Sequence, residues 1–183
     1  MPSYDIRIPP LAPEAFSPEQ KALVGDWSSM HFCTVLVRHP QLYKVFLPYI
    51  EQLIAHTTLP PRDREVLVLR SLAVANDVYE SHHHALIARN AGMSDSEIAA
   101  CRTDGAGLTD VDRLLMTAVD ELMHTHYLSD PTWQALAQHY TESQMIEVIF
   151  LVGCYTLMGM VTNSLGIPLE AADDEFTHLR DYT

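Results

Sequence analysis

The chain has 183 residues, of which 48% are hydrophobic and 19% are charged, and this suits one globular domain with its own core. Its net charge of −13 disfavours nucleic acid and anionic membranes as partners. The three cysteines, Cys33, Cys101 and Cys154, are widely spaced and form no CxxC pair, which argues against a zinc ribbon, a disulfide framework and a dithiol redox centre.

The stretch "MPSYDIRIPPLAPEAF" has prolines and charges where a signal peptide would need an apolar core, which favours a cytoplasmic setting.

The first third of the chain contains several helix-start signals. "SPEQ" at 17–20 provides a cap, a first-turn proline and a capping-box partner for a helix to about Met30. A second helix is predicted from His39 and Pro40 to about His56, with a kink or break at Pro48.

The middle and the end of the chain also have helical signals. One long helix is predicted from about Arg62 to Asn90, with Gly92 just beyond its C-terminal end. Four more helices are predicted from capping residues at positions 94, 109, 129 and 141. The last of them contains the apolar run 145–161, which is shorter than a membrane span and includes Glu147, so a core or subunit-interface helix is expected.

No stretch alternates between apolar and polar residues over a useful length, so no strand is predicted. The sequence therefore predicts an all-α protein with a single domain over residues 1–183. Its core spans about 16–170, and the acidic tail "EAADDEFTHLRDYT" is expected to form a loose surface arm.

The polar residues of the long helix are the main candidates for a functional site. At about 100° per residue, six of them share one sector of a continuous helix, namely Glu65, Asn76, Asp77, Glu80, His83 and His84. Apolar residues surround the first two turns of the same helix, which implies burial on most sides. Carboxyl and imidazole groups there would be desolvated, as at a functional site, although a solvated helix face is the alternative.

The segment "YESHHH" at 79–84 has the form of a metal-binding cluster, but its consecutive histidines point in different directions on a helix. Only His83 and His84 share a sector with Glu80, and of these two His84 has the four-residue spacing from Glu80 at which side chains meet. Further metal ligands would have to come from distant residues such as His31, His124 or His126, and no HExxH spacing is present. No metal site is therefore predicted.

The stretch "LPPRDREVLVLRSLAVANDVYESHHHALIARNAGMSDSEIAA" resembles the carboxymuconolactone decarboxylase family of the AhpD-like superfamily. The family positions are Pro61, Glu65, Tyr79, Glu80, His84, Ala88, Gly92, Ser94, Glu97 and Ile98. The segment "LSDPTWQALAQHYTESQMIEVIFLVGCYTLMGMVTNSLGIPLE" is similar to the second half of the family, so the resemblance covers about Phe16 to Glu170. It implies an AhpD-like multi-helix fold and a homo-oligomer, a trimer or hexamer.

Two departures from the family pattern bear on the chemistry. Peroxidase-type members have a CxxC at the positions of Asp77 and Glu80, and carboxyl groups cannot replace those thiols. Decarboxylase-type members usually have Trp after the glutamate, where this chain has Ser81, which alters the expected pocket shape. Proton transfer is thus favoured over electron transfer.

Decarboxylation of a β-keto-like acid needs an electron sink in the substrate and a proton donor, and it needs no cofactor. We predict His84 as the general acid/base, with Glu80 fixing its tautomer and Glu65 as a second acid/base or orienting residue. His83 is the rival to His84. It is also predicted to bind substrate, together with Asp77 and Tyr155. Arg62, Arg64 or Arg70 could bind a substrate carboxylate, and surface ion pairs are the alternative for each.

The function predicted from the sequence is a cofactor-independent lyase, resembling carboxymuconolactone decarboxylase, that acts on a small carboxylated or lactone compound. Related isomerase chemistry would use the same groups. The alternatives are an AhpD-like peroxidase or redox protein and a non-catalytic ligand-binding member of the family. A small molecule is the expected partner, without nucleic acid or membrane.

Overall fold

In a computed structural model, which describes residues 5–171, every regular element is a helix. The predicted all-α class is therefore confirmed for this part of the chain. The predicted acidic arm lies outside the described residues from residue 172 onward, but its first residue, Glu170, does not belong to a loose arm, because its side chain is buried. The helices are α1 (Pro18–Val24), α2 (His31–Leu36), α3 (Pro40–Ile54), α4 (Pro61–Val74), α5 (Tyr79–Asn90), α6 (Asp95–Cys101), α7 (Asp110–Thr125), α8 (Asp130–Leu136) and α9 (Glu142–Leu165). Short 3-10 helices span Pro13–Ala15 and Gly25–Ser29.

The predicted helix starts are confirmed wherever a capping box marks them. Reciprocal side-chain and backbone hydrogen bonds form at Ser17, Ser94, Thr109 and Thr141. The Ser129 side chain accepts a hydrogen bond from the Thr132 amide at the start of α8. Each of these contacts satisfies backbone N–H groups that the first turn of a helix leaves without partners, which is why the signals are readable from sequence.

The predicted break at Pro48 is wrong, because α3 continues through this residue. Pro48 cannot donate to the carbonyl of Lys44, but both residues are exposed, and water can satisfy that carbonyl. The first helix is also shorter than predicted. It ends at Val24, and the chain reaches α3 through a 3-10 turn and the unpredicted helix α2.

The long helix predicted from Arg62 to Asn90 is two helices, α4 and α5, separated by a turn at residues 75–78. Asn76 has a φ of 53°, in the left-handed region that Asn tolerates better than most residues. Asp77 then caps α5, since its Oδ1 accepts hydrogen bonds from the amides of Glu80 at 2.6 Å and Ser81 at 3.3 Å. This turn folds α5 back against α4.

The core is built around α4, which packs against α5, α6, α7 and α9. Its side chains at Val66, Leu67, Val68, Leu69 and Leu72 are completely buried. The other long core helix, α9, is apolar and long enough to cross a membrane, although half of its most apolar window is buried inside the protein. The site described below lies where α4, α5 and α9 meet.

Gly159 of α9 lies against the turn between α4 and α5. A Cβ atom added there would stand 2.8 Å from the Cβ of Ala75, which belongs to the backbone frame and cannot rotate away. Gly153, also in α9, has no atom within 4 Å of the same added Cβ. The close approach of α9 to the turn therefore requires glycine at position 159.

We expect Gly159→Ala to reduce the free energy of unfolding by about 1–3 kcal/mol, because the added methyl group overpacks the contact with Ala75. Gly153→Ala is the matched control, and it should be neutral or stabilise by up to about 1 kcal/mol through its effect on helix propensity. Urea unfolding followed by circular dichroism measures both. Equal effects of the two substitutions would contradict the packing role of Gly159.

Candidate active site

The turn between α4 and α5 brings Glu65 to His84. The Oε2 atom of Glu65 lies 2.7 Å from Nδ1 of His84, and Arg64 Nε donates to Oε1 at 2.8 Å. Glu65 is fully buried, and burial alone would raise its pKa. The contacts with His84 and Arg64 outweigh burial and lower the pKa of this carboxyl, so it is a carboxylate.

The other ring nitrogen of His84 contacts α9. Nε2 lies 2.7 Å from the hydroxyl of Tyr155, and the two rings meet edge to face. Burial, and then the charge of Glu65, raise the pKa of Tyr155 well above its ordinary value, so this phenol keeps its proton. The Tyr155 hydroxyl therefore donates a hydrogen bond to Nε2 of His84, and the Nδ1–H group of His84 donates one to Glu65.

A cavity of about 230 Å³ lies beside this group. Helices α1 to α3 and the turn after α1 supply most of its apolar wall, with Leu23, Trp27, Met30, Phe32, Leu47, Ile50 and Ile54. Ile87 and Met158 continue that wall on α5 and α9. The polar groups on the wall are Glu80, His83, His84 and Tyr155, with Cys33, Tyr43 and Glu51. The site is thus a small apolar chamber with acid/base groups on one side.

Glu80 lines the cavity but does not pair with His84 as predicted from the four-residue spacing. Glu65 and Tyr155 occupy both ring nitrogens of His84. Glu80 is only 4% exposed, and its Oε1 has no hydrogen-bond partner among the described residues. Burial raises its pKa well above the ordinary value, and the nearby carboxyl groups of Asp77 and Glu170 raise it further.

His83, the rival acid/base, belongs to a second buried cluster at the cavity wall. Its Nδ1 donates to the carbonyl of Tyr79 at 2.9 Å, and Nε2 lies 3.1 Å from Oε2 of Glu170. Oε1 of Glu170 accepts from the His31 amide at 2.7 Å and from the Tyr79 hydroxyl. Burial opposes ionisation of Glu170, but the contacts with His83, Tyr79 and His31 lower its pKa to about 2.

Asp77 does not line the cavity, so the predicted contact with substrate is not supported. Its two oxygens instead cap α5 and accept from the hydroxyl of Thr162. Asn163 supports the same turn, because its side-chain amide donates to the carbonyl of Ala75 at 2.8 Å. These polar residues hold the backbone that positions Glu80, His83 and His84.

The three arginines of α4 are bonded away from the cavity. Arg62 binds Glu97 and Asp112, and Arg70 binds Asp120 and a backbone carbonyl. Arg64 binds Glu65 and the carbonyl of Ile54. No arginine or lysine within residues 5–171 lines the chamber. Over the same range, no three His, Cys, Asp or Glu side chains are grouped so as to hold a metal ion.

Glu170, Tyr79 and His31 were not among the predicted site residues. Glu170 follows the end of α9 in an irregular segment, and its partners are 91 and 139 positions away in sequence. No local spacing signals such a contact. Tyr79 has a weak signal, since it belongs to the motif that precedes the histidines.

Comparison with known proteins shows that the central part of the chain matches a protein family. Residues 40–122 match the model of the carboxymuconolactone decarboxylase family, and this stretch includes Glu65, Glu80, His83 and His84. Tyr155 and Glu170 lie beyond it. No curated protein matches the chain.

Solved structures share the fold at low sequence identity. A peroxidase-related protein from Ralstonia eutropha JMP134, an alkylhydroperoxidase AhpD core, is 16% identical with a TM-score of 0.77, over 91% of this chain and 94% of that one. A peroxidase-related protein from Silicibacter sp. TM1040 is 11% identical with a TM-score of 0.72, and the match covers 93% of this chain and 92% of that one. The debrominase Bmp8, in complex with 2,3,4-tribromopyrrole, is 18% identical with a TM-score of 0.69, and the match covers 93% of this chain and 95% of that one. The AhpD-like fold is therefore confirmed.

We expect Glu170→Gln to lower the free energy of unfolding at pH 7 by about 2 kcal/mol, because hydrogen bonds to a buried charge are lost. The folded pKa, about 2, lies below the ordinary value of 4.5, so this stabilisation is complete above about pH 4.5. It is lost as the pH falls toward 2.

Urea unfolding between pH 7 and pH 2 should therefore show that the free energies of unfolding of the wild type and Glu170→Gln become equal as the pH falls toward 2. Glu142→Gln, at an exposed position, is the matched control and should stay close to the wild type throughout. A constant difference between Glu170→Gln and the wild type over this pH range would contradict the assignment of a buried carboxylate.

Proposed function

We propose that this chain, which through residues 40–122 belongs to the carboxymuconolactone decarboxylase family and has an AhpD-like fold, is a cofactor-independent lyase or isomerase. It would move a proton at a carbon atom next to a carbonyl group of a small lactone or carboxylated compound. The observation that supports this most is the hydrogen-bonded chain Glu65–His84–Tyr155 at the wall of an apolar cavity.

The chain of hydrogen bonds can act as a proton relay in both directions. As a base, the Tyr155 oxygen takes a proton from the substrate carbon while its own proton passes to Nε2 of His84. Glu65 stabilises the imidazolium that results, and Arg64 holds Glu65 in place. The reverse steps return the proton to the same or another carbon, which completes an exchange or an isomerisation.

A carboxy-lyase reaction would use the same relay from its protonated state. The bond to the substrate carboxylate breaks, carbon dioxide leaves, and the electron pair moves into the adjacent carbonyl as an enolate. The enolate carbon then takes a proton from the relay, which regains one from water. No metal or redox group enters this balance, because the substrate carbonyl is the electron sink.

A thiol peroxidase is less well supported. Asp77 and Glu80 stand where peroxidase-type relatives have their two cysteines, as noted from the resemblance. Burial raises the pKa of Cys33, Cys101 and Cys154 to about 12, so almost none of each thiol is the reactive thiolate at neutral pH. Cys33 is the only one of these three thiols on the cavity wall.

The homo-oligomer, expected as a trimer or hexamer, and the cytoplasmic setting stay predictions. An exposed apolar stripe on α9 supports the first of them. It consists of Ile146, Ile149, Phe150, Leu157 and Met160. Helix α3, which packs against α9, has the exposed apolar residues Leu42 and Val45. Exposed apolar groups at helical spacing on neighbouring helices are typical of subunit contacts. A non-catalytic ligand-binding role is the remaining alternative.

We expect His84→Ala to reduce proton exchange at the α-carbon of an accepted lactone or ketone by about 10²–10⁴-fold, the usual contribution of a general acid/base. Tyr155→Phe should cause a loss in the same range, since it removes the group that faces the substrate. Proton NMR in deuterated buffer measures the exchange. The substrate panel should include carboxymuconolactone, whose decarboxylation the same spectra report.

Tyr127→Phe is the matched control, because Tyr127 is exposed and remote from the cavity, and it should keep the wild-type rate. Circular dichroism should show that each variant is folded. An unchanged exchange rate in folded His84→Ala would contradict the relay.

The burial of the thiols makes a separate prediction. In the native protein, all three cysteines should react with a thiol reagent at pH 7 at least about 100-fold more slowly than after unfolding, because burial suppresses both thiolate formation and access. Absorbance with Ellman's reagent, with and without denaturant, measures this. One fast thiol in the native protein would instead support the redox alternative.

A further inference from the structure

Glu80 has a role in the cavity that the proton relay does not explain. Its carboxyl group is 96% buried, lies on the cavity wall, and has an Oε1 atom without a hydrogen-bond partner among the described residues. A buried polar atom left without a partner costs free energy. Because Glu80 lines the chamber, a ligand inside the chamber can bond its carboxyl group.

The charges around Glu80 favour a protonated carboxyl. Asp77 accepts three hydrogen bonds through its two oxygens, and Glu170 is ionised, so Glu80 lies near two acceptor carboxylates. The thiols of Cys33 and Cys154 and the phenols of Tyr79 and Tyr155 are also near enough for a charge on Glu80 to raise their pKa values. Like charges close together in a buried site cannot all ionise.

The same surroundings disfavour a negatively charged substrate. The arginines of α4 are held by Glu97, Asp112, Asp120, Glu65 and backbone carbonyls, and none reaches the chamber. His83 already faces the carboxylate of Glu170. A substrate carboxylate entering the apolar chamber would therefore lose its hydration without an arginine or lysine from residues 5–171 in return.

We propose that Glu80 carries a proton and donates it in a hydrogen bond to the carbonyl oxygen of an uncharged substrate, such as a lactone or a cyclic enone. This assignment rests on the proposed function, because it places the carbonyl beside the relay. It narrows the substrate class from carboxylated or lactone compounds to neutral carbonyl compounds. Of the reactions proposed above, it therefore favours proton exchange or isomerisation over the carboxy-lyase reaction.

The donor would matter most when the relay removes the α-proton. Negative charge then develops on the carbonyl oxygen, and the hydrogen bond from Glu80 strengthens as it does so. When the relay returns the proton to carbon, the oxygen becomes a neutral carbonyl again and Glu80 retains its proton. No oxidant, reductant or metal takes part in this cycle.

The chamber has the size and lining for such a compound. A dry cavity of about 150 Å³ is enough for benzene, so about 230 Å³ admits one substituted ring. Leu23, Phe32 and Ile50, from α1 to α3, would contact the ring, and the polar groups of α5 and α9 would contact the carbonyl side. The arrangement orients a small ring by its carbonyl group.

Infrared difference spectra test the protonation of Glu80 without any substrate. At pH 7, the wild type minus Glu80→Gln should show the C=O stretch of a protonated carboxylic acid. Glu142→Gln, at an exposed site, should show a carboxylate band instead. Absence of the protonated band in the Glu80 difference would overturn the assignment.

Calorimetric binding tests the substrate class with cyclohexenone as the neutral probe and a cyclohexenone carboxylate as its charged counterpart. The wild type should bind the neutral ring more tightly, and Glu80→Leu, which keeps the volume and removes the donor, should weaken that binding about tenfold. Glu80→Gln retains an N–H donor and should lose less, and Glu142→Gln should bind as the wild type does. The carbonyl stretch of bound cyclohexenone should shift to lower frequency in the wild type and not in Glu80→Leu.

Three outcomes would overturn the proposal: tighter binding of the carboxylate, wild-type affinity in folded Glu80→Leu, or no binding of cyclohexenone at millimolar concentration. The two proposals fail in different ways. If His84→Ala keeps the wild-type rate of proton exchange while Glu80→Leu binds cyclohexenone more weakly, the proposed relay is wrong and the proposed role of Glu80 as a donor is supported. If His84→Ala loses exchange while Glu80→Leu binds normally, the relay stands and the donor is wrong.

Discussion

Glu65 carries a negative charge in the interior of the protein, where a carboxylate without partners would be strongly destabilising. Arg64 on the same helix and His84 on the next one provide its compensation, and Tyr155 on α9 completes the set of contacts. Because the charge needs all of these partners, it fixes the relative positions of α4, α5 and α9. Helices α5 and α9 carry the acid/base groups on the cavity wall, so the arrangement of those groups depends on this one buried ion.

The site contains two buried glutamates whose pKa values are shifted in opposite directions. Contacts with an arginine and a histidine lower the pKa of Glu65, whereas burial and two neighbouring carboxyl groups raise that of Glu80. When surroundings separate the pKa values of two acidic groups in this way, the group with the lower pKa can stabilise a cation while the group with the higher pKa donates a hydrogen bond at the same pH. The two glutamates are fifteen positions apart, yet the turn at Asn76 and Asp77 gives them separate surroundings.

Local signals predicted most of the fold and part of the site. Capping residues such as Thr109 and Thr141 mark helix starts through contacts within four positions, so their geometry can be read from the sequence. The break at Asn76 has a signal too, in an Asn that tolerates positive φ followed by an Asp that can cap, but continuous apolar residues on both sides obscured it. Glu65, Glu80, His84 and Tyr155 were predicted as site residues. The contact between Tyr155 and His84 was not predicted, because the two residues are 71 positions apart. Glu170 could not be predicted, since only tertiary structure brings it to His83.

The stretch recognised as a family segment ends at residue 122, before α9 begins. Glu65 and His84 lie inside that stretch, whereas the phenol that bonds His84 and the carboxylate that faces His83 lie outside it. The chemically complete unit is therefore longer than the unit of sequence recognition. Substitutions in α9 or in the segment after it can therefore change the groups around His83 and His84 while residues 40–122 stay the same.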